Sequence, residues 1–291
     1  MILEVENLSH VYDFGTPFAR HAIKNINFSL KANEFVGIIG HTGSGKSTLV
    51  QHLNALIKPS GGRILLADED IHADKTKLKS VRQRVGLVFQ YPEHQLFEVN
   101  IYKDVCFGPL NMGLEPDEVA LRAKEALQLV GLSEELYNKS PFELSGGQRR
   151  RAAIAGVLAM HPDILILDEP TAGLDPAGRD AILSQIAKMQ KAVGNTVVLV
   201  SHNMEEISRL VDRILVMSAG EIFFSGTPAE VFSDTEKLTA AGLAPPPIAI
   251  LMSELRACGF NIPSGIFTVD AAAEVLTSLK RSEKREKGAE Q

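Results

Sequence analysis

Apolar and polar positions alternate with a period of two near the start of the chain. "ILEVENLSHVY" and "AIKNINFSL" carry this pattern, which predicts half-buried antiparallel strands. "EFVGIIG" is different: a continuous apolar run ending in glycine, the signature of a strand buried on both faces. "STLVQHLNAL" then shifts to helical periodicity, and "GGRILLAD" and "RVGLVFQ" predict further strands.

From about Tyr91 to Met160 the pattern becomes helical. "PDEVALRAKEALQLVGL" reads as an amphipathic helix with Pro116 near its start and Gly131 at its end. Strands resume at "ILILD", "NTVVLVS" and "RILVMS", separated by helices expected over Gly178–Val193 and Asn203–Leu210. The alternation predicts an α/β fold: a mostly parallel sheet covered on both faces, an antiparallel β portion, and a helical subdomain inserted at about 91–160. A boundary is expected near Thr227. It divides residues 1–226 from an extension, 227–291, whose "LAPPPIAILMSELRACG" and "VDAAAEVLTSLK" predict two short helices. The charged end, "RSEKREKGAEQ", is expected to be frayed.

Composition narrows the classes. With 291 residues, 45% apolar, the chain can bury a large core and still carry an appendage. A formal net charge of −6 argues against nucleic acid as a partner for the whole surface. The basic concentrations are Arg149, Arg150 and Arg151, and the segment from Lys280 to Lys287. Cys106 and Cys258 supply neither a disulfide framework nor metal-ligand spacing, as fits a reducing compartment. No secretory pattern opens the sequence, and no run reaches the ~18 apolar residues of a membrane-spanning helix. The nearest, Leu238 to Met252, is broken by Pro245, Pro246 and Pro247. The chain is therefore not expected to cross a membrane by itself, although it can dock on something that does.

Chemistry concentrates in a few stretches. "GHTGSGKST" runs Gly40, His41, Thr42, Gly43, Ser44, Gly45, Lys46, Ser47 and Thr48 between a predicted buried strand and a predicted helix. It fits the phosphate-loop pattern, in which glycines curl the backbone so that its N–H groups face phosphate oxygens. Lys46 adds charge to the β- and γ-phosphates, Ser47 can ligate Mg²⁺, and Thr48 can bond the α-phosphate. Asp168 ends the apolar strand "ILILD", where it can hold Mg²⁺ through water, and Glu169 next to it suits polarising an attacking water. Gln90, at the entry to the helical block, can touch both metal and water. His202 ends "NTVVLVSH" and can hydrogen-bond a γ-phosphate. Asp175 sits in the loop after Glu169, where a turn aspartate before Pro176 is the plainer reading.

A second anion seat lies at "LSGGQ": Ser145, Gly146, Gly147 and Gln148 open a helix with free N–H groups and a positive dipole end. It belongs to the helical block, whereas Lys46 belongs to the core sheet. Two chains packed head-to-tail could each offer Lys46 to one nucleotide and Ser145 to the other.

Together, and in this order along residues 1 to about 226, these motifs resemble the ATP-binding subunits of ABC transporters. The resemblance implies a P-loop NTPase fold of the RecA-like kind, ATP and Mg²⁺ as ligands, and ATP hydrolysis coupled to transport. It implies that Tyr12 stacks on adenine, that Lys46, Ser47, Gln90, Asp168, Glu169 and His202 serve one ATP, and that Ser145, Gly146, Gly147, Gln148 and Asp175 serve the ATP of the opposite subunit. "YDFGTPFARHAI", "FQYPEHQLFEVNIYKDVCFGPLNMG" and "GLAPPPIAILMSELRACGFNIP" are similar to energy-coupling factor (ECF) transporter ATPases, and "DEPTAGLDP" and "GTPF" to the second of their two types.

That narrower likeness implies pairing with a homologous first-type ATPase or with itself, through a C-terminal extension that helps hold the pair. It also implies a transmembrane T subunit, and interchangeable membrane S subunits that capture vitamins or transition-metal ions. The location implied is peripheral, on the cytoplasmic face of a prokaryotic cell membrane. Glu93 or Glu98, on a helix expected at "YPEHQLFE", is a candidate to receive an arginine of the T subunit; a solvated acidic face is the alternative. A conventional ABC importer or exporter ATPase is the competing assignment. The long heptad arm of a DNA-repair ATPase and the doubled motif set of a translation ATPase are both absent from the sequence.

Overall fold

The computed structural model describes residues 1–263 and 265–289, with side chains as far as Leu279. The first two strands, β1 (Leu3–Tyr12) and β2 (Arg20–Leu30), pair antiparallel as their alternation predicts. With β4 (Gly61–Leu66) and the two-residue β5 (Glu69–Asp70) they form a sheet of order β2-β1-β4-β5.

The second sheet has the order β10-β9-β3-β8-β7-β6. Its members are β3 (Phe35–Gly40), β6 (Val85–Val88), β7 (Ile164–Asp168), β8 (Thr196–Val200), β9 (Arg213–Ser218) and β10 (Glu221–Gly226). Only the edge strand β10 runs antiparallel to its neighbour. The continuous apolar runs are explained by what lies on each side of them. Leu165 and Leu167 of β7 face a core shared with the helical layer, while Ile164 and Ile166 face one shared with the antiparallel sheet. A strand buried on both faces has no polar side to show.

Helix α1 (Lys46–Leu53) follows β3 and packs between the two sheets through Leu49, Val50 and Leu53. Helix α2 (Leu78–Arg84), short and charged, precedes β6; neither it nor β5 has a clear periodic signal in the sequence. The inserted block contains α3 (Ile101–Met112), α4 (Pro116–Leu129) and α5 (Gly146–Leu158). They join through Val105, Ala123, Ala126, Ala155 and Leu158, where small residues let the helices approach closely. The helix expected at "YPEHQLFE" is instead a 3-10 turn, Pro92–Gln95, entered through Tyr91 at φ 54°. Leu96 then returns to extended backbone, so Glu98 does not lie on a helix.

On the same face of the sheet as the inserted block, away from the antiparallel sheet, come α6 (Pro176–Val193) and α7 (Met204–Leu210). Thr227 caps α8 (Pro228–Ser233) with a reciprocal bond to Glu230, a clear local start signal. Packing nonetheless runs through this point. Val231 and Phe232 of α8, and Leu238 of α9 (Thr235–Ala240), belong to the main core. A separate small core forms later, around Met252, Ile262 and Ala272, between α10 (Pro247–Ala257) and α11 (Val269–Ala289). Helix α11 continues through most of the segment expected to fray; its Glu, Lys and Arg content favours helix. Residues 290–291 lie outside the described residues. Among the described residues no helix is long and apolar enough to cross a membrane.

Candidate functional site

The C-terminal ends of β3, β6, β7 and β8 converge, and each delivers one part of the site. After β3 the chain turns through Gly40 to Gly45 into α1. Gly45 adopts φ 103°, and a Cβ there would sit 2.7 Å from the Ala22 carbonyl oxygen of β2. Only glycine satisfies both the backbone angle and the clearance. Lys46 is buried, and its Nζ donates to the carbonyls of Gly40 at 2.7 Å and His41 at 3.0 Å. Burial pulls its pKa below the usual lysine value, while Glu169 and Asp168 pull it back up. The loop and its lysine form one wall of a cavity of about 400 Å³, which Thr42, Ser47, Thr48, Gln90, Glu169 and Tyr12 also line.

Asp168, the last residue of β7, is buried. Its pKa is raised, chiefly by burial and further by Glu169, against the lowering effect of a Ser47 hydrogen bond and Lys46. A carboxylate in that state gains from a cation. With the Ser47 hydroxyl and the Gln90 amide it offers the hard oxygen donors that suit Mg²⁺, which keeps several waters and shares substrate phosphate oxygens. Among the described residues no group of three or more His, Cys, Asp or Glu could hold a metal without such help.

Glu169 has a positive φ, 50°, uncommon for a residue with a Cβ. Its own N–H bonds the Val200 carbonyl at 2.9 Å, which ties it to β8. The carboxylate lies between two partners: Gln90 Nε2 donates to Oε2 at 3.1 Å, and His202 Nδ1 is 3.2 Å from Oε1. Gln90, Glu169 and His202, from three different loops, thus form one contiguous group. Tyr12 brings its hydroxyl within 3.4 Å of Thr48 Oγ1, and the His10 ring packs edge-on against it at 4.6 Å.

The "LSGGQ" seat is built as a capped helix start. Ser145 and Gln148 bond each other reciprocally: Gln148 N–H to Ser145 Oγ at 3.3 Å, and Ser145 N–H to Gln148 Oε1 at 2.9 Å. Gly146 and Gly147 are not explained by this fold. A Cβ on either would meet nothing within 4 Å, and neither has a positive φ. Asp175 caps α6, its Oδ1 accepting from the Gly178 N–H at 3.1 Å. Ser145, Gly146, Gly147, Gln148 and Asp175 are all outside the lining of the phosphate-loop cavity.

Several contributors are invisible to motif reading. Arg20 lines the cavity because the hairpin register sets it opposite Tyr12. Of the three consecutive arginines, read as a basic concentration, Arg150 turns inward while Arg149 and Arg151 stay half-buried. Arg149 and Arg151 bond the carbonyls of Leu144 and Gly131, and Arg150 is 1% exposed. Arg150 holds Glu93, so that carboxylate is not available to an arginine of another subunit. Partners 57 residues apart leave no periodic trace in the sequence.

The family model described as ABC transporter matches residues 23–172. The chain is 54% identical over 284 residues to the energy-coupling factor transporter ATP-binding protein EcfA2 of Caldanaerobacter subterraneus subsp. tengcongensis, covering 98% of this chain and 99% of that one. It is 51% identical over 280 residues to EcfA2 of Clostridium tetani, covering 96% and 97% respectively. Among solved structures it is similar to cbiO1 of Clostridium perfringens, part of the ABC transporter complex cbiONQ. That match has a TM-score of 0.74 and 42% identity over 87% of this chain and 98% of that one.

Proposed function

We propose a role for this chain from one premise: it belongs to the ABC transporter ATP-binding family, and within it to the ATP-binding subunits of energy-coupling factor transporters. The activity of such a subunit is ATP hydrolysis coupled to transport. In the reading proposed here, Tyr12 stacks on the adenine and the phosphate loop with Lys46 holds the β- and γ-phosphates. Glu169 takes a proton from the attacking water, steadied by Gln90 and His202. Mg²⁺, held by Ser47, Asp168 and Gln90, would neutralise developing charge on the phosphates when bound.

The second half of each site comes from a partner. The observation that carries this is the pair Gly146 and Gly147: space and backbone angle permit a side chain at both, so their bareness serves something outside this chain. A triphosphate approaching bare N–H groups at a helix start is what such bareness admits. The ATP-binding cassette MJ0796, to which this chain is similar at TM-score 0.69 and 31% identity over 78% of this chain, has a dimeric structure bound to ADP and Pi. The partner is a homologous first-type ATPase or a second copy, and the extension 227–291 helps hold the pair.

Attachment to the membrane is through a T subunit, with S subunits delivering vitamins or transition-metal ions, at the cytoplasmic face. A cavity of about 640 Å³ between α2 and the helical block supports this, lined by Leu96, Phe107, Val157 and Met160 together with Arg82 and Asp104. Its mixed apolar and charged lining suits a helix from a membrane protein. Glu98 is the remaining acidic candidate near it.

The shared site is tested by dilution. Turnover per chain is expected to fall as protein concentration drops below the pairing constant, with ATP-dependent dimers seen by sedimentation. Constant turnover per chain at any dilution, by a species that sediments as a monomer, would sink the reading.

A further inference from the structure

Behind Glu169 and His202 lies a carboxylate that the motifs do not mention. Glu206, on α7, is 4% exposed. No cation accompanies it among the described ion pairs; hydroxyl and amide donors hold it instead. Thr171 Oγ1 donates across both of its oxygens, at 2.9 Å and 3.0 Å. Ser201 Oγ donates to Oε2 at 2.8 Å, and Asn203 Nδ2 approaches Oε1 at 3.4 Å. Ser201 Oγ in turn accepts from the Asn203 N–H at 3.0 Å.

The positions of these donors give the network its meaning. Thr171 is two residues after Glu169, while Ser201 and Asn203 flank His202. One carboxylate therefore clamps the loop after β7 to the loop after β8, and the clamped loops carry the two side chains that meet at 3.2 Å. A buried carboxylate is costly unless hydrogen-bonded, and it loses heavily if any donor withdraws. It therefore resists separation of the loops. Glu169, at its positive φ, needs surroundings that over-determine its backbone.

We infer that Glu206 is a positioning residue for hydrolysis, fixing the His202 segment against the Glu169 segment; this rests on the reading of Glu169 and His202 as hydrolytic groups. It does not line the phosphate-loop cavity. Its effect falls on turnover and not on nucleotide affinity, because Tyr12 and the phosphate loop are set by β1, β3 and α1.

The experiment uses the full-length chain in its ATP-hydrolysing assembly. Glu206→Ala is expected to lower kcat about tenfold or more, with the Kd for a fluorescent ATP analogue within about threefold of the parent. Thr171→Val, which keeps shape and removes the donor, is expected to lose turnover several-fold, and Thr171→Ser to restore it. Added to His202→Ala, Glu206→Ala is expected to cost little more, since both damage one unit.

Parental turnover in both Glu206→Ala and Thr171→Val overturns the inference, as does a loss that multiplies with that of His202→Ala or resides in Kd. Should Glu206→Ala fail to fold, the Thr171 pair decides alone. Glu169→Gln and His202→Ala by themselves test the underlying reading. If they hydrolyse normally, that reading fails; if they are slow while the Glu206 and Thr171 variants are normal, only this inference fails.

Discussion

Arg150 grips Glu93 through two bonds, Nε to Oε2 at 3.0 Å and Nη2 to Oε1 at 2.6 Å. Its remaining nitrogen, Nη1, donates to the carbonyls of Pro170 at 2.9 Å and Ala172 at 2.8 Å. The Tyr91 ring lies 5.9 Å from the guanidinium carbon. One side chain of α5, the helix opened by "LSGGQ", thus joins the segment after Gln90 to the segment after Glu169. The helical block is therefore tied to the segments that follow both Gln90 and Glu169.

Cutting that pair on one side leaves a buried charge without its partner. Arg150→Met is expected to destabilise the fold by about 3–5 kcal/mol, the usual result of removing one member of a buried ion pair. Adding Glu93→Gln to it should recover a large part of the loss. Lysine in place of Arg150 should not rescue, because a point charge cannot replace the planar fork. Urea unfolding of the single and double variants measures this; equal stability of all forms would show that the pair contributes nothing.

The bare glycines of the second seat predict effects of opposite sign. Gly147→Ala adds a methyl where nothing lies within 4 Å and removes unfolded-chain freedom, so stability is expected to rise by about 0.5 kcal/mol. Turnover is expected to fall, because the methyl stands where a partner's triphosphate must approach the helix start. A thermal melt and an ATPase assay on one preparation give both signs. A variant that is both more stable and fully active would show that no anion comes there.

Legibility in the sequence followed the range of the interactions. The phosphate loop was readable because its glycines, lysine and serine act within nine consecutive positions, and β3 and β7 because burial on both faces leaves unbroken apolar runs. The order of parts, helical insertion included, followed from changes of period. Partnerships between distant segments were not readable. In the sequence Arg150 is one member of a basic concentration and Glu93 an acidic candidate for a partner; only the fold brings the two together with the carbonyls of Pro170 and Ala172. Tyr91, at its left-handed φ, cannot be foreseen from helical periodicity, so the pattern predicts a helix where the structure has a turn. The boundary expected near Thr227 follows a shift in composition, which carries no sign that Val231, Phe232 and Leu238 beyond it pack into the main core.

Glu169→Gln separates binding from chemistry. The amide keeps the size of the side chain and removes the base, so ATP binding and ATP-dependent pairing are expected to persist. Turnover should drop about 10²-fold or more. Equilibrium binding and single-turnover hydrolysis make the comparison, and near-parental turnover would remove Glu169 from the role of base.

Acid should loosen the wall behind the phosphate loop. His52 of α1 is fully buried; its Nδ1 donates to the Thr48 carbonyl at 2.7 Å, and its Nε2 finds no hydrogen-bond partner. Its pKa is pushed down to about 4, first by burial and then by His10 and His72, against the Thr48 carbonyl that raises it. The unfolded chain, with an ordinary imidazole near 6.5, therefore binds more protons than the folded one between these values. Stability is full above about pH 6.5 and declines as pH falls toward 4, by up to about 3 kcal/mol for this residue. His10 and His72, also lowered by burial, act in the same direction. Asp168 acts in the opposite one, because its raised pKa lets the folded state take up a proton more readily. Urea unfolding at about pH 7 and about pH 5 should show the loss, and His52→Leu should flatten the slope by close to one proton. Because Thr48 touches both His52 and the Tyr12 hydroxyl, ATP affinity should weaken over the same range; an unchanged slope in His52→Leu would assign the acid sensitivity to other groups.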